Sequence, residues 1–368
     1  MKVAVVGTRG FPNVQGGVEA HCENLYPLLV ESGCEVFVFT RTPYVGKNIK
    51  EYKGVKLIPV SCPKRKILEP AWHTFKAIFQ ARKLNPDILH FNAIGPSFFV
   101  PLAKLLGFKV VMTNHGPDYL RKKWGSIVRI LIKLGEYLGS KFSDEVICVS
   151  ENIGRSVENK YQRRTKVIPN GVAISKICKT EEILKKFALV KGRYVLAVGR
   201  FVPEKGFLDL MKAFQEAAIP DWRLVIVGRA DHQDKYSDAI ETKARENPGV
   251  VLTGFLSGQS LADIYSHAGL FVLPSYHEGL AIVLLEALSY GLSCLVSDVP
   301  ANREIGLEDN RYFEPGAIKE LSEKIREYVV RPLTPEQKDQ QIDLICKKYS
   351  WAAIADKTLA VYRQVLNR

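Results

Sequence analysis

The sequence lacks any run of about 18 uninterrupted apolar residues, the length that an α-helix needs to span a bilayer. The apolar run in residues 1–7 is too short for a signal peptide and predicts a strand. The sequence also lacks paired cysteines: its seven cysteine residues are scattered, and none forms a C-x-x-C pair. This spacing argues against a zinc site or a disulfide framework and favours a protein of the reducing cytoplasm.

Acidic residues are scarce in the first half of the chain. Residues 1–190 contain 30 Lys and Arg against 15 Asp and Glu, whereas the remainder is close to neutral. This asymmetry indicates an anionic partner, which could be nucleic acid, anionic lipid or a phosphorylated acceptor. A basic surface that serves only solubility is the alternative. The length of 368 residues predicts two domains with separate cores.

Apolar strands alternate with helical stretches in two successive segments. The first segment has predicted strands at 2–6, 35–40, 55–60, 88–91 and 110–114. The second has predicted strands at 194–198, 224–227, 250–253, 270–273 and 293–297. This alternation predicts α/β domains with doubly wound parallel sheets. Such sheets bind ligands at the carboxyl ends of their strands.

The loop after the first strand is rich in glycine but does not contain the G-x-G-x-x-G pattern. The second strand ends in Thr40-Arg41, where a dinucleotide site would have an acidic residue, so a dinucleotide site is not expected. Gly16 and Gly17 would allow a ligand to approach the backbone closely at the start of a helix. A flexible loop with a glycine helix start is the alternative.

Two carboxylates interrupt the apolar pattern of residues 274–288. We expect Gly279 to open a helix, with Glu278 just before it and Glu286 two turns into it. Eight residues of helix would separate the two carboxylates by about 12 Å. The amides of Gly279, Leu280 and Ala281 would form a phosphate site at the helix N-terminus. Alternatively, both acids are ordinary helix residues.

The loop after the strand at 194–198 has a pattern that suits a diphosphate. Gly199 would permit close approach, while Arg200 and Lys205 would supply fixed and mobile positive charge. Such charges can stabilise a diphosphate leaving group. A surface loop with two basic residues is the alternative. No D-x-D pair follows a strand, so we expect no metal and no other cofactor.

Taken together, these motifs resemble glycosyltransferase family 4, whose members are retaining enzymes of the GT-B fold. Glu278-x7-Glu286 is similar to the E-x7-E signature, and residues 199–206 match the G-R-x-x-x-x-K-G pattern. The I-P-N-G-V run at 168–172 is similar to the end of the family's first domain. The opening G-T-R-G-x-P…G-G-x-E at 7–19 resembles a bacterial subset that includes rhamnosyltransferases.

The resemblance implies a GT-B architecture, in which two Rossmann-like domains face a central cleft. The domains would comprise residues 1–172 on the acceptor side and 191–345 on the nucleotide-sugar side. Residues 173–190 would be a linker. Residues 346–368 would form a helix that crosses back to the first domain.

The resemblance also implies roles for individual residues. Gly16 and Gly17 would pack against the donor diphosphate and the acceptor, and His115 would contact the donor sugar as a catalytic residue. Glu278, the second catalytic candidate, would position sugar hydroxyls, and Glu286 would bind the ribose. The remaining donor-binding residues would be Gly199, Arg200, Lys205, Gly254, Phe255, Leu256, Gly279, Leu280 and Ala281.

The implied activity is metal-independent transfer of a hexosyl group from a nucleotide-sugar to a hydroxyl group. The acceptor would be a saccharide or a polyprenyl-phosphate-linked saccharide in bacterial surface-polysaccharide synthesis. We expect dTDP-rhamnose as the donor, followed by UDP- and GDP-sugars. The run at 114–117, Asn-His-Gly-Pro, departs from the rhamnosyltransferase subset and leaves the donor sugar open.

Two other functions fit parts of the pattern. The same fold could act as a nucleotide-sugar epimerase or phosphorylase. A basic nucleic-acid-binding protein is the alternative of another class, but the chain has no basic stripe interleaved with aromatic residues. We therefore expect no nucleic-acid partner.

The segment 117–135 mixes apolar residues with basic ones, including Arg121, Lys122 and Lys123. Together with the basic run at 64–66, it could place a basic and apolar face on an anionic membrane or beside the acceptor. An ordinary core-facing helix with solvated lysines is the alternative. The expected location is the cytoplasm, with peripheral contact at the inner face of the plasma membrane.

Overall fold

The structure is a computed structural model that describes residues 1–46, 48–63, 68–120, 125–173, 178 and 180–368. It divides the chain into two compact units. Unit 1 comprises Met1–Gly171 together with Trp351–Arg368, and unit 2 comprises Val172–Ser350. Each unit is built around its own parallel sheet.

Unit 1 contains a sheet whose eight strands, within the described residues, follow the order β3-β4-β2-β1-β5-β6-β7-β8. Its strands are β1 (Lys2–Val6), β2 (Glu35–Arg41), β3 (Glu51–Tyr52), β4 (Val55–Val60), β5 (Ile88–Asn92), β6 (Val110–Asn114), β7 (Glu145–Cys148) and β8 (Lys166–Val167). The neighbouring strands are parallel except for β3 and β4. The five strands predicted in this segment are confirmed, with ends that agree to within one residue.

In the described part of the first 171 residues, five α-helices cover the two faces of this sheet. They are α1 (Gly17–Glu31), α2 (Leu68–Leu84), α3 (Val100–Leu105), α4 (Ser126–Phe142) and α5 (Glu151–Tyr161). Helix α1 packs in one core, and α2 and α3 pack in the core on the opposite face. Ser150 caps α5, because its hydroxyl accepts from the amide of Ile153 at 3.3 Å.

Unit 2 has a parallel sheet with the strand order β11-β10-β9-β12-β13-β14. Its strands are β9 (Tyr194–Val198), β10 (Arg223–Val227), β11 (Val250–Gly254), β12 (Leu270–Leu273), β13 (Cys294–Ser297) and β14 (Tyr312–Phe313). Its helices are α6 (Glu182–Lys186), α7 (Phe207–Ala217), α8 (Lys235–Glu246), α9 (Gly258–His267), α10 (Ile282–Ser289), α11 (Pro300–Arg303), α12 (Ile318–Val329) and α13 (Pro335–Lys348). The buried strand β9 lies at the centre, so the loop that follows it lies among the ends of neighbouring strands.

The last helix, α14 (Trp351–Leu366), belongs to unit 1. Its buried residues Trp351, Ile354 and Tyr362 share one core with α1. Residues 346–348, which the sequence analysis assigned to this crossing segment, instead end α13 in unit 2. The predicted linker also differs from the structure, because α6 lies inside it and buries Ile183 and Leu184.

Candidate functional site

The loop after β9 places two cations at the carboxyl edge of the unit 2 sheet. Gly199 and Arg200 follow β9 directly, and Lys205 ends a short 3-10 turn, Pro203–Lys205. A Cβ atom at Gly199 would lie 3.6 Å from the Cδ and Cε atoms of Lys205, so the lysine stem runs along the glycine. Because Gly199 has no side chain, the side chain of Lys205 can lie close to the end of β9.

Lys205 contacts the loop that follows β12. Its Nζ donates to Oε1 of Glu278 at 2.6 Å, and the lysine and glutamate side chains are only 17% and 10% exposed. The amide of Tyr276 also donates to the carbonyl oxygen of Glu204 at 2.9 Å. The structure therefore brings Lys205 and Glu278 together, although they are 73 residues apart in the chain.

Arg200 pairs with a residue that the sequence analysis did not single out. Its Nη1 donates to Oδ2 of Asp231 at 3.0 Å, and Asp231 lies just after β10. The loops after β9 and β10 are also joined by the amide of Phe201, which donates to the carbonyl oxygen of Arg229 at 3.1 Å. The signal that could have revealed this pair is an acidic residue a few positions after one predicted strand, together with an arginine just after the neighbouring strand.

The end of β11 lies next to the end of β10. The amide of Gly228 donates to the carbonyl oxygen of Gly254 at 2.9 Å, and Gly254 has a φ of 73° that favours glycine. The guanidinium of Arg229 lies over the ring of Phe255, 5.7 Å from its centroid. Gly254 and Phe255, with the partly buried Leu256 after them, therefore belong to the same edge of the sheet as Arg200.

The prediction that Gly279 opens a helix is wrong, because α10 begins at Ile282. Ala281 has an extended backbone, with φ −73° and ψ 106°, and the first helical bonds run from the amides of Leu284 and Leu285 to its carbonyl oxygen. Leu280 and Ala281 are buried, so their side chains hold in place the segment that leads into α10. Gly279 and Leu280 therefore lie in a loop, and Glu286 is the fifth helical residue.

Glu286 lies in a desolvated position on α10. The hydroxyl of Tyr265 donates to its Oε2 at 2.9 Å, and the same hydroxyl donates to the carbonyl oxygen of Val283 at 3.3 Å. Burial raises the pKa of Glu286 to about 7, while the Tyr265 hydrogen bond acts in the opposite direction. The ring of Tyr265 is in turn stacked on Tyr290, with centroids 5.3 Å apart.

Gly16 and Gly17 begin α1 in unit 1, as predicted, beside a buried ion pair that the sequence analysis did not identify. Nε and Nη2 of Arg9 donate to the carboxylate of Glu19 at 3.1 and 3.0 Å. A Cβ at Gly16 would lie 2.1 Å from Oε2 of Glu19, whereas a Cβ at Gly17 would meet nothing within 4 Å. Part of the glycine-rich motif therefore makes room for the ion pair.

His115 follows β6 and lies in a network of buried polar residues. Its Nε2 lies 3.3 Å from Oδ1 of Asn92, and its ring meets that of His21 edge-on at 4.8 Å. Burial holds the pKa of His115 well below its usual range, and the neighbouring His21 and His90 act in the same direction. The imidazole is therefore neutral at physiological pH, when it can either donate or accept a hydrogen bond.

Arg121, Lys122 and Lys123, predicted on the acceptor or membrane side, lie outside the described residues, as does the basic run at 64–66. Among the helices in the described part of the chain, none combines the length and the apolar character needed to cross a membrane. The structure thus gathers the predicted residues of unit 2 around the ends of β9 to β12. The predicted residues of unit 1 follow β1 and β6.

Comparison with known proteins defines the class of this chain. The family described as "Glycosyltransferase Family 4" matches residues 15–176, and the family described as "Glycosyl transferases group 1" matches residues 179–343. The chain is also similar to sucrose-phosphate synthase from Thermosynechococcus elongatus, with a TM-score of 0.84 and 22% identity over 100% of this chain and 99% of that chain. This likeness shows the GT-B fold.

Two curated relatives agree with this classification. The chain is 28% identical over 398 residues to an uncharacterized glycosyltransferase of Methanocaldococcus jannaschii, covering 99% of this chain and 98% of the relative. It is 26% identical over 305 residues to the UDP-Gal:alpha-D-GlcNAc-diphosphoundecaprenol alpha-1,3-galactosyltransferase of Escherichia coli, covering 79% and 74%. The chain is thus a glycosyltransferase of the GT-B type, whose first domain matches family 4 and whose second domain matches group 1, in agreement with the family that its motifs resemble.

Proposed function

We propose that this chain transfers a sugar from a nucleoside-diphosphate sugar to a hydroxyl group, with retention of anomeric configuration and without a metal ion. The observation that carries the proposal is the position of Arg200 and Lys205 at the carboxyl edge of one sheet, with Lys205 in contact with the loop before α10. Two cations at such an edge are suited to an anionic diphosphate.

The two cations are paired with carboxylates in the structure, Arg200 with Asp231 and Lys205 with Glu278. A diphosphate carries more charge than one carboxylate and can accept several hydrogen bonds at once. We propose that it takes over both cations when the donor binds. During the reaction, the cations would stabilise the charge that develops on the leaving diphosphate, which is the role that a metal ion has in other enzymes.

The ribose, the nucleobase and the sugar of the donor would bind other residues of unit 2. Glu286, oriented by Tyr265, would accept hydrogen bonds from the ribose hydroxyls in its ionised form. Gly254, Phe255 and Leu256 would present backbone groups to the nucleobase. Once the diphosphate has taken Lys205, the released Glu278 would bind the sugar hydroxyls.

In unit 1, the neutral His115 would hydrogen-bond the donor sugar. Gly16 and Gly17 would bring backbone amides to the diphosphate and the acceptor. Arg9 and Glu19 fix the loop that carries these glycines, because their pair is buried. These unit 1 roles rest on the family pattern, together with the positions of the residues after β1 and β6.

We propose same-face substitution as the route to retention. The acceptor oxygen would attack the anomeric carbon on the face from which the diphosphate departs. The bond between that carbon and the phosphate oxygen breaks, its electron pair stays on the oxygen, and this oxygen takes the acceptor's proton. A double displacement would instead need an enzymic carboxylate beneath the anomeric carbon. NMR of the product's anomeric proton distinguishes retention from inversion.

For the donor, we propose dTDP-rhamnose as the first compound to test, with UDP- and GDP-sugars beside it. The similarity to the Escherichia coli galactosyltransferase, whose name specifies UDP-Gal and a diphosphoundecaprenol acceptor, supports the UDP-sugars and a lipid-linked saccharide. We place the reaction in bacterial surface-polysaccharide synthesis at the cytoplasmic side of the membrane. The basic excess in residues 1–190 supports an acceptor that carries phosphate.

A donor panel tests this function. The chain is incubated with each nucleotide-sugar, with and without a polyprenyl-diphosphate saccharide, in the presence of EDTA. We expect slow hydrolysis of one donor and faster transfer when the acceptor is added. Release of a sugar phosphate would instead indicate a phosphorylase, and conversion of the donor sugar to its epimer would indicate an epimerase. Either result, or activity that depends on Mg²⁺, would contradict the proposal.

A further inference from the structure

Helix α4 packs on unit 1 through its small and polar side. A Cβ at Gly135 would lie 2.3 Å from the carbonyl oxygen of Ile94, and a Cβ at Gly139 would lie 2.3 Å from Sδ of Met112. The other buried residues of the helix are Glu136 and Ser140. The fully buried side of α4 therefore consists of small and polar residues, and the partly buried Ile132 adds an apolar contact with the core of unit 1.

The apolar side of α4 points away from unit 1. Ile127 and Ile130 are 76% and 63% exposed, and Leu131 and Leu134 are 44% and 38% exposed. These four residues follow the spacing i, i+3, i+4 and i+7, so they lie on one face of the helix. A core-facing helix with solvated lysines is the alternative that the sequence allows. The exposure of these four residues contradicts it, whereas Ile132 does pack against the core.

Helix α2 exposes a row of aromatic residues on the same side of the sheet as α3. Trp72, Phe75 and Phe79 are 46%, 39% and 42% exposed, and Phe75 lies 6.5 Å from Trp72 and 5.0 Å from Phe79 between ring centroids. Phe75 also lies 6.1 Å from Phe99, in the turn just before α3.

That turn connects the aromatic row to α4. The carbonyl oxygens of Ile94 and Gly95 and the amide of Phe98, which lead into the turn or belong to it, lie against Gly135 of α4. Leu105, at the end of α3, is 86% exposed. We call the exposed sides of α2, α3 and α4 the outer face. Contiguous apolar exposure of this kind is unusual for a surface that meets only water.

The charges of the outer face have one sign. Each of α2 and α4 contains one carboxylate in its sequence, and both are buried: Glu69 pairs with Arg41 at 3.1 Å, and Glu136 accepts from the hydroxyl of Tyr161 at 2.8 Å. The basic residues of the two helices are exposed or partly exposed. They are Lys76, Arg82, Lys83, Arg129, Lys133 and Lys141.

We propose that the outer face binds the surface of an anionic phospholipid bilayer. The aromatic and aliphatic side chains would enter the boundary between headgroups and acyl chains, and the basic side chains would contact lipid phosphates. A second copy of the chain fits this face less well, because two such faces would bring like charges together.

This inference extends the proposed function, since a membrane-bound enzyme would meet a lipid-linked acceptor at the bilayer surface. The binding itself involves unit 1 residues that lie outside the proposed donor-binding set. Membrane binding and nucleotide binding can therefore be tested separately. A negative result for membrane binding would leave the proposed nucleotide binding unaffected, and the reverse also holds.

The test is co-sedimentation with vesicles of phosphatidylcholine alone or mixed one-to-one with phosphatidylglycerol. We expect the full chain to bind the mixed vesicles and to be released by added salt. Replacing Arg129 and Lys133 by Gln should lower the partition coefficient about 25-fold, since each cation contributes about fivefold near an anionic surface. Ile127→Ser combined with Ile130→Ser should lower it by about tenfold or more.

A matched control replaces Val330 and Leu344, exposed apolar residues of unit 2, by Ser. This control should leave vesicle binding unchanged. Thermal protection by nucleoside diphosphate is measured in every variant, and we expect it to be retained. The proposal is overturned if the wild-type chain ignores anionic vesicles or if the charge variant binds them normally. It is equally overturned if the chain is a dimer that the outer-face substitutions dissociate.

Discussion

Glu286 combines its proposed role in ribose binding with a cost in stability. Burial raises the pKa of its carboxyl group from 4.5 to about 7, so the folded chain favours the protonated form. In the unfolded chain, the group ionises near its ordinary value. The carboxyl group therefore lowers the stability of the fold progressively as the pH rises above about 4.5, and its full effect is reached above about 7. The proposed binding of ribose hydroxyls, in contrast, would use the ionised form.

We predict opposite effects of Glu286→Gln on stability and on binding. At pH 8 the variant should be more stable by about 2 kcal/mol, because no buried charge has to form, and at pH 4 the gain should vanish. Its affinity for nucleoside diphosphates should fall about tenfold or more at pH 8. Thermal melts and calorimetric titrations at both pH values measure these effects. Equal stability at pH 8 would show that the carboxyl group is not desolvated.

Asp231 limits access to Arg200 in the structure. If the diphosphate must take this arginine from its carboxylate partner, the apparent affinity is reduced by the fraction of molecules in which the pair is open. We predict that Asp231→Asn tightens nucleoside-diphosphate binding about threefold to tenfold, measured by calorimetry.

The matched control for this substitution is Asp221→Asn. Asp221 is 81% exposed and lies 3.6 Å from Arg193, so its replacement should leave nucleotide binding unchanged. Weaker binding in Asp231→Asn would show that Asp231 holds Arg200 in its productive position instead of competing for it.

At the scale of elements, the turn between β9 and α7 depends on one close approach. Gly206 has a φ of 65°, and a Cβ there would lie 2.2 Å from the carbonyl oxygen of Pro274, at the end of β12. Lys205 immediately precedes it. The glycine therefore allows the two loops to come close enough for Lys205 to reach Glu278.

We predict that Gly206→Ala destabilises unit 2 by about 3 kcal/mol or more, since a backbone oxygen must shift to admit the methyl group. Gly192→Ala is the control: its φ is 73°, but its Cβ would meet nothing within 4 Å. It should cost only about 1 kcal/mol of backbone strain. Thermal denaturation of both variants compares the two costs. Similar costs would indicate that the approach to Pro274 is not constrained.

The regular elements of this fold are predictable because their patterns are local. Strands such as β1 and β9 are continuous apolar runs, and they are buried where the sequence places them. The start of α10 was predicted three residues too early. Leu280 and Ala281 are buried and Ala281 has an extended backbone, so the helix begins only at Ile282, which no local signal reveals.

Partners across loops and the orientation of helices were harder to predict. Asp231 and Tyr265 lie 31 and 21 residues from Arg200 and Glu286, and only the fold brings them into contact. The apolar pattern of α4 predicts a helix with one apolar face but does not say which way that face points. The direction is decided by the tight contacts of Gly135 and Gly139 with unit 1.

For the whole molecule, the charge distribution follows the two units. The basic excess lies in residues 1–190, most of which belong to unit 1, and the acidic residues of α2 and α4 are buried. The proposed nucleotide contacts of Arg200, Lys205 and Glu286 all lie in unit 2. In the two proposals, the anionic bilayer would therefore bind unit 1, and the phosphates of the donor's leaving group would bind largely unit 2.

The central claim is that two cationic side chains hold the donor diphosphate without a metal ion. Its most direct test is calorimetric titration of UDP, dTDP and GDP in EDTA, with wild-type chain, Arg200→Ala, Lys205→Ala and the exposed control Lys212→Ala. We predict that at least one nucleotide binds the wild-type and control chains, and that each loop substitution weakens it about tenfold or more. Binding that requires Mg²⁺, or that survives both loop substitutions, would contradict the claim.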